Sequence, residues 1–184
     1  MENQSRKTKR NKLNKGYVHV YTGNGKGKTT AAIGLAIRAA GAGMRVLFTQ
    51  FIKGTAYSEI SALKMLSEQI AVKQYGRGRF IKGEPSQEDI DAAQCGLTEI
   101  KQALAGGVYD VVVLDEANIA VQCNLFTIEK LVELIASKPI DVELVITGRY
   151  AHPFLLDCDD VVTEMKEVKH YYQKGIMARL GIEK

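Results

Sequence analysis

Apolar residues along this chain fall into short runs separated by glycine-rich and charged stretches, and their spacing switches between the strand and helix periods. "GYVHVY" (16–21) alternates as a half-buried strand does. Ile33, Ala36, Ile37 and Ala40 then fall at i, i+3, i+4 and i+7, predicting an amphipathic helix that ends near Gly41 and Gly43. "MRVLFTQF" (44–51) predicts a second strand, residues 58–68 a helix, and "IAVKQY" (70–75) a third strand. "GRGRFIKGEPS" (76–86), with three glycines and a proline, reads as a loop. A longer helix is expected over 87–105, starting after Ser86 and stopping at Gly106-Gly107. The continuous apolar run in "VYDVVVLDEA" (108–117) predicts a fully buried central strand. A helix over 127–137, a strand "VELVITG" (142–148), a strand near 160–164 and a last helix near 170–180 complete the chain. Strands alternating with helices imply an α/β fold with a mostly parallel sheet covered on both faces.

Composition narrows the class. At 184 residues, 46% hydrophobic and 25% charged, the chain has the makeup of a globular domain able to bury a core. No apolar run approaches the roughly 20 residues of a membrane span, and no apolar stretch of the secretory kind follows the basic start, so a cytoplasmic protein is expected. The net charge of +4 is unevenly spread. Residues 1–15 hold six basic residues against Glu2 alone, which leaves 19 basic and 20 acidic residues for 16–184. A solvated leader (1–15) ahead of one domain (16–184) is therefore expected, and a body without basic excess argues against nucleic acid as a partner. An arm that binds nucleic acid or closes over an anionic ligand is the other reading of the leader. Cys95, Cys123 and Cys158 are widely spaced and odd in number, which disfavours a zinc site or a disulfide framework.

The sharpest chemical signal is the stretch Thr22-Gly23-Asn24-Gly25-Lys26-Gly27-Lys28-Thr29, followed by Thr30. It fits the phosphate-loop pattern G-x-x-x-x-G-K-[ST] everywhere but its first position, where Thr22 replaces glycine. Gly23 follows at once, so the backbone can still turn tightly one residue later. A strand before and a helix after supply the context such a loop needs. Glycines let successive amides curl around phosphate oxygens, and the helix N-terminus adds partial positive charge. Lys28 supplies a full charge, and the Thr29 hydroxyl is placed to ligate Mg²⁺. The second signal is Asp115-Glu116 at the end of the central strand, where parallel α/β proteins line their ligand crevice. An acidic pair there can hold Mg²⁺ directly or through its waters. Arg149, in "TGR" (147–149) at the end of the next strand, is expected over the same edge as a phosphate partner. His19 reads as a packed strand residue, and no Ser-His-Asp arrangement supports nucleophilic catalysis by the protein.

Taken together, "YTGNGKGKTTAAIGLAIRAAG", "QFIKG" (50–54), "VVVLDE", "ITGR" and the closing "VTEMKEVKHYYQKGIMARLGIEK" resemble the ATP:corrinoid adenosyltransferases of the phosphate-loop type. The resemblance runs in order over about residues 16–184. It implies a RecA-like core, a homodimer, and transfer of the 5′-deoxyadenosyl group of ATP to the Co(I) of a reduced corrinoid. Cobalamin, cobinamide or cobyrinic acid diamide would be the corrinoid, tripolyphosphate the product released, and adenosylcobalamin biosynthesis or salvage the setting. It implies ATP lying reversed in the loop, with Mg²⁺ or Mn²⁺ held by Thr29 with Asp115 or Glu116, and an electron-donating flavoprotein reductase as partner. Lys28, Thr29 and Glu116 carry the catalytic roles in that reading. Gly23, Asn24, Gly25, Lys26, Gly27, Thr30 and Arg149 would contact the nucleotide, with Asn24 at the ribose and Lys26 an extra cation beside the leaving group. Relatives place aromatics in the loop after the third strand. Here that loop offers Tyr75 and Phe80 but the chain has no tryptophan, and Phe80 is the candidate to wedge beneath the corrin ring. A RecA-like ATPase acting on nucleic acid and a small-molecule kinase remain the alternatives for the loop by itself.

Overall fold

A computed structural model describes residues 12–54, 57–78, 81 and 83–183. Residues 1–11 of the expected leader, and the corrin-side candidate Phe80, lie outside the described residues. Six strands form one sheet: β1 (Val18–Thr22), β2 (Val46–Gln50), β3 (Ile70–Gln74), β4 (Val111–Asp115), β5 (Glu143–Thr147) and β6 (Val161–Glu164). Their spatial order is β3-β2-β4-β5-β1-β6, and every neighbouring pair is parallel. Helices α1 (Lys28–Gly41), α2 (Ser58–Lys64), α3 (Gln87–Ala105), α4 (Ala117–Gln122), α5 (Ile128–Ala136) and α6 (Pro153–Cys158) make the crossovers. No described helix is long and apolar enough to cross a membrane.

Because side chains alternate along a strand, the sheet builds two cores. Val111, Val113, Val145, Val46 and Phe48 pack with Ala32, Ala36 and Ala39 of α1 and Leu63 of α2. Val112, Leu114, Leu144, Ile146, Val20 and Leu47 pack on the other face with residues of α3, α5 and α6. The period-2 run of β4 is thus buried on both sides, as its continuous apolar sequence predicts. Helix α3 begins where expected, with a capping box in which Ser86 Oγ accepts from the Asp89 amide and Asp89 accepts from the Ser86 amide.

Three expectations are corrected. The buried stripe of α1 is Lys28, Ala32, Ala36 and Ala39, not the Ile33-Ala36-Ile37-Ala40 face, and Ile37 is 48% exposed. Alanines face the sheet because a helix that must bring its N-terminus over the strand ends has to lie close to it. The helix expected near 170–180 is a single 3₁₀ turn, Tyr171–Lys174, closed by Gly175 at φ 79°. Its apolar residues find no core to pack on, and short helices owe most of their stability to such packing. Helices α4 and α6, six residues each, were not anticipated from the pattern; α6 carries its proline in the first turn, where the missing N–H costs nothing.

Leu144, the second residue of β5, is fully buried. Leu144→Ala should lower unfolding free energy by about 3 kcal/mol in urea titration, whereas truncating the exposed Ile140 should change it by less than about 0.5 kcal/mol.

Candidate active site

Parallel strands all end on one edge, and that edge gathers the chemistry. β1 ends at Thr22, whose hydroxyl accepts from the Ala151 amide and whose carbonyl accepts from the Met165 amide. Gly23 then turns the chain at φ 92° and Gly27 again at φ 121°, directly before α1. The tight turn therefore falls at Gly23, one residue after the position that Thr22 occupies. A Cβ on Gly23 would lie 2.4 Å from the Met165 carbonyl oxygen, so this glycine is required by its backbone neighbour as well as by its φ. The Gly25 amide is committed to the Met165 carbonyl at 2.6 Å and is not among those aimed at a ligand.

Lys28 is 7% exposed and spans the loop, its Nζ donating to the carbonyls of Gly23 and Gly25 at 2.7 Å each. Burial lowers its pKa from the ordinary lysine value, with the Arg149 charge adding to the effect and Glu116 and Asp115 opposing it. Thr29, one residue on, donates its hydroxyl to Asp115 Oδ1 at 2.8 Å. This bond joins the start of α1 to the end of β4.

Asp115 is fully buried and is met by four donors. Oδ1 accepts from Thr29 and, at 2.7 Å, from the Thr147 hydroxyl at the end of β5. Oδ2 accepts from Gln50 Nε2 at the end of β2 and from Lys53 Nζ, at 3.0 and 3.2 Å. The Lys53 ammonium also lies 3.4 Å from Thr29 Oγ1 and 3.8 Å from Glu59. Burial alone would lower the Lys53 pKa, but Asp115, then Glu116, outweigh it and raise the value. Lys53 is aimed inward by a three-residue turn in which its amide donates to the Phe51 carbonyl around Ile52. Ile52 has φ 64°, a conformation that costs a β-branched residue about 1–3 kcal/mol and is held by its surroundings. Gly76 packs there so closely that a Cβ would sit 2.2 Å from the Ile52 carbonyl, and Gly54 abuts the Gly76 carbonyl in the same way.

Glu116 also has a left-handed backbone, φ 61°, and its amide donates to Thr147 Oγ1. Burial raises its pKa above the usual carboxylate value, and the neighbouring Asp115 charge adds to the rise. Lys53, Lys28 and Arg149 pull the other way. Beside the loop, Asn24, Arg149, Tyr150, Glu164, Lys166 and Glu167 line an open polar cleft of about 470 Å³. Arg149 thus lies over the crevice edge, as its place in the sequence implies. Lys26 points its ammonium to residues 171–183. Thr30 follows Thr29 in the first turn of α1.

Gln50, Lys53, Thr147 and the segment after β6 were missed as site residues by sequence reasoning. The signal was present, since Gln50 and Thr147 end strands and Lys53 lies three residues beyond one in "QFIKG". Tyr75 is a packing residue, its ring 5.7 Å from Phe51 and its hydroxyl donating to Glu99. His19 packs edge-on against Tyr21 and pairs with Glu143, away from the loop. Cys95 and Cys123 are free thiols.

Comparison with known proteins places this arrangement. A family model described as ATP:corrinoid adenosyltransferase BtuR/CobO/CobP matches residues 14–183. A Pseudomonas aeruginosa protein named corrinoid adenosyltransferase is 36% identical over 170 residues, covering 92% of this chain and 84% of that one. Corrinoid adenosyltransferase CobA of Salmonella typhimurium is 37% identical over 172 residues, and the Escherichia coli corrinoid adenosyltransferase 36% over 172. Both alignments cover 92% of this chain and 86% of the relative. A phosphate-type loop, an acidic pair at the end of β4 and this likeness along the chain agree, and the protein belongs to the ATP:corrinoid adenosyltransferase family.

Proposed function

We propose that the chain transfers the 5′-deoxyadenosyl group of ATP to the Co(I) of a reduced corrinoid and releases tripolyphosphate. The observation that carries the reading is the Thr29–Asp115 bond, which ties a phosphate-type loop to an acidic strand end in a chain of this family. Residues 16–184 act as one unit in this reading, in the cytoplasm and as a homodimer, with a flavoprotein reductase supplying electrons.

Co(I) is itself a strong nucleophile, so the protein need not make one. The cobalt electron pair forms the Co–C5′ bond while the C5′–O bond breaks, and its electrons leave on the triphosphate. The chain's tasks are to hold C5′ in line with cobalt and to stabilise the charge that gathers on the leaving group. Lys28 and the amides of Asn24, Lys26, Gly27 and Thr29 suit the second task. The triphosphate lies reversed relative to hydrolases, so that it departs whole. Arg149 reaches its outer side and Asn24 the ribose.

The side-chain atoms that Thr29, Asp115 and Glu116 would offer a metal are all oxygen, the chemistry that Mg²⁺ or Mn²⁺ prefers. Among the described residues no three or more His, Cys, Asp or Glu side chains cluster as a metal site, so the remaining ligands would be triphosphate and water. Mg²⁺ bound there supplies neutralising charge to the triphosphate. Lys53, beside both Thr29 and Asp115, pairs with the Asp115 carboxylate and fixes its place at the strand end.

Anaerobic incubation with ATP, Mg²⁺ and chemically reduced cobalamin should yield tripolyphosphate and a light-sensitive alkylcobalt product. Orthophosphate or ADP without alkylated corrinoid would overturn the reading in favour of hydrolysis or phosphoryl transfer. Lys28→Ala should lower turnover by on the order of a hundredfold or more, since it removes a buried charge from the leaving group. Near-normal turnover would show that the loop does not hold the triphosphate. Lys53→Met strips the buried Asp115 carboxylate of its counter-charge and should cost about 3 kcal/mol of stability in urea unfolding. A loss under about 1 kcal/mol would mean that Lys53 is not the group that balances Asp115.

A further inference from the structure

The segment after β6 has no core of its own. None of residues 166–183 is buried, and its apolar side chains face water, with Val168 95%, Met177 70% and Leu180 81% exposed. Polar bonds to the phosphate loop are what fix it. At the near end, the Met165 amide and carbonyl bond Thr22 and Gly25. At the far end stands Lys26, whose Nζ contacts Glu183 Oε1 at 2.8 Å, the Ile182 carbonyl at 3.0 Å and the Tyr171 hydroxyl at 3.4 Å.

An ammonium has three protons, and these three acceptors use them all. The far anchor is also a closed circuit. Glu183 Oε2 accepts from the Arg179 amide at 2.8 Å, the Arg179 guanidinium lies 4.8 Å from the Tyr171 ring centre, and Tyr171 returns to Lys26. A turn through Gly181, φ 75°, brings Glu183 back toward the loop. Glu164, just before the near anchor, and Lys166 and Glu167, just after it, form one wall of the cleft whose other side carries Asn24 and Arg149.

We propose that Glu183 is a positioning residue, which through Lys26 seats residues 165–183 as a strap on the phosphate loop and holds the wall of the nucleotide cleft. The inference rests on the reading that this cleft and loop take ATP. Lys26 then serves the strap and not the triphosphate. With the far anchor loosened, Lys166 and Glu167 are held in the wall from their β6 end and the two Met165 bonds, so ATP should bind less well. The reacting atoms, held by Lys28 and Thr29, should be served as before once ATP is bound.

The test is steady-state kinetics of the full chain with ATP, Mg²⁺ and reduced cobalamin, joined to limited trypsin digestion without substrate. Glu183→Gln keeps the side chain's length and removes its charge. It should raise KM for ATP on the order of fivefold and leave kcat within about twofold. Lys26→Met, which removes the Tyr171 and Ile182 contacts as well, should raise KM at least as far, and the double variant no further than Lys26→Met alone. Trypsin should cut after Lys174 and Arg179 faster in each variant, while thermal unfolding of the body stays unchanged. Unaltered KM and cleavage in Glu183→Gln would overturn the strap. Additive losses, or a fall in kcat for Lys26→Met that Glu183→Gln does not share, would assign Lys26 to the triphosphate instead. If the unmodified chain forms no alkylcobalt product, the functional reading fails while the digestion still reports on the strap.

Discussion

A fully buried carboxylate is costly unless it is paired and hydrogen-bonded, and the Asp115 side chain is the group around which the active edge is organised. Its four donors come from Thr29 at the head of α1, Gln50 at the end of β2, Thr147 at the end of β5, and Lys53 just beyond β2. Satisfying one charge therefore fixes the relative heights of three neighbouring strand ends and the first turn of a helix. The rim that results is rigid before any ligand arrives, which is what a site that works by positioning and electrostatics demands.

The sheet beneath serves that rim. Both faces of β4 are sealed by apolar side chains, and the one polar side chain within the strand, Asp115, stands at its C-terminal end. On one face α1 meets the sheet through alanines, which keeps the helix near enough for Lys28 and Thr29 to reach across the edge. Larger side chains would bury more area there but would lift the phosphate loop away from Asp115. Packing is thus subordinate to reach at this contact, and Ile37 is left exposed as a result.

Much of this was legible in the residues. Strand and helix periods placed all six strands and helix α3, because fully buried runs such as "VVVL" and capping signals such as Ser86 act locally. Lys28, Thr29, Asp115, Glu116 and Arg149 could be picked out because loop pattern and strand-end position carry their own physical logic. The rotation of α1 could not be read, since Ile33 and Ile37 dominate any apolar count while the sheet selects small residues. Residues 170–180 look helical by periodicity, yet nothing packs on them, and tertiary context decided against the helix. The partners of Lys53 and Lys26 escaped for another reason. A lysine's partner is a matter of where distant segments meet, and Glu183 lies 157 positions from Lys26.

The contact between Gly54 and Gly76 has a mechanical consequence. Two stretches of main chain touch there with no side chain between them, and the same touch holds Ile52 in its left-handed turn. Side chains can absorb a displacement by changing rotamer, but bare backbone has no such slack. The loops after β2 and β3 are accordingly geared together. A shift of a few tenths of an ångström at Gly76 must turn the peptide at Ile52, and Lys53 sits on the output side of that gear.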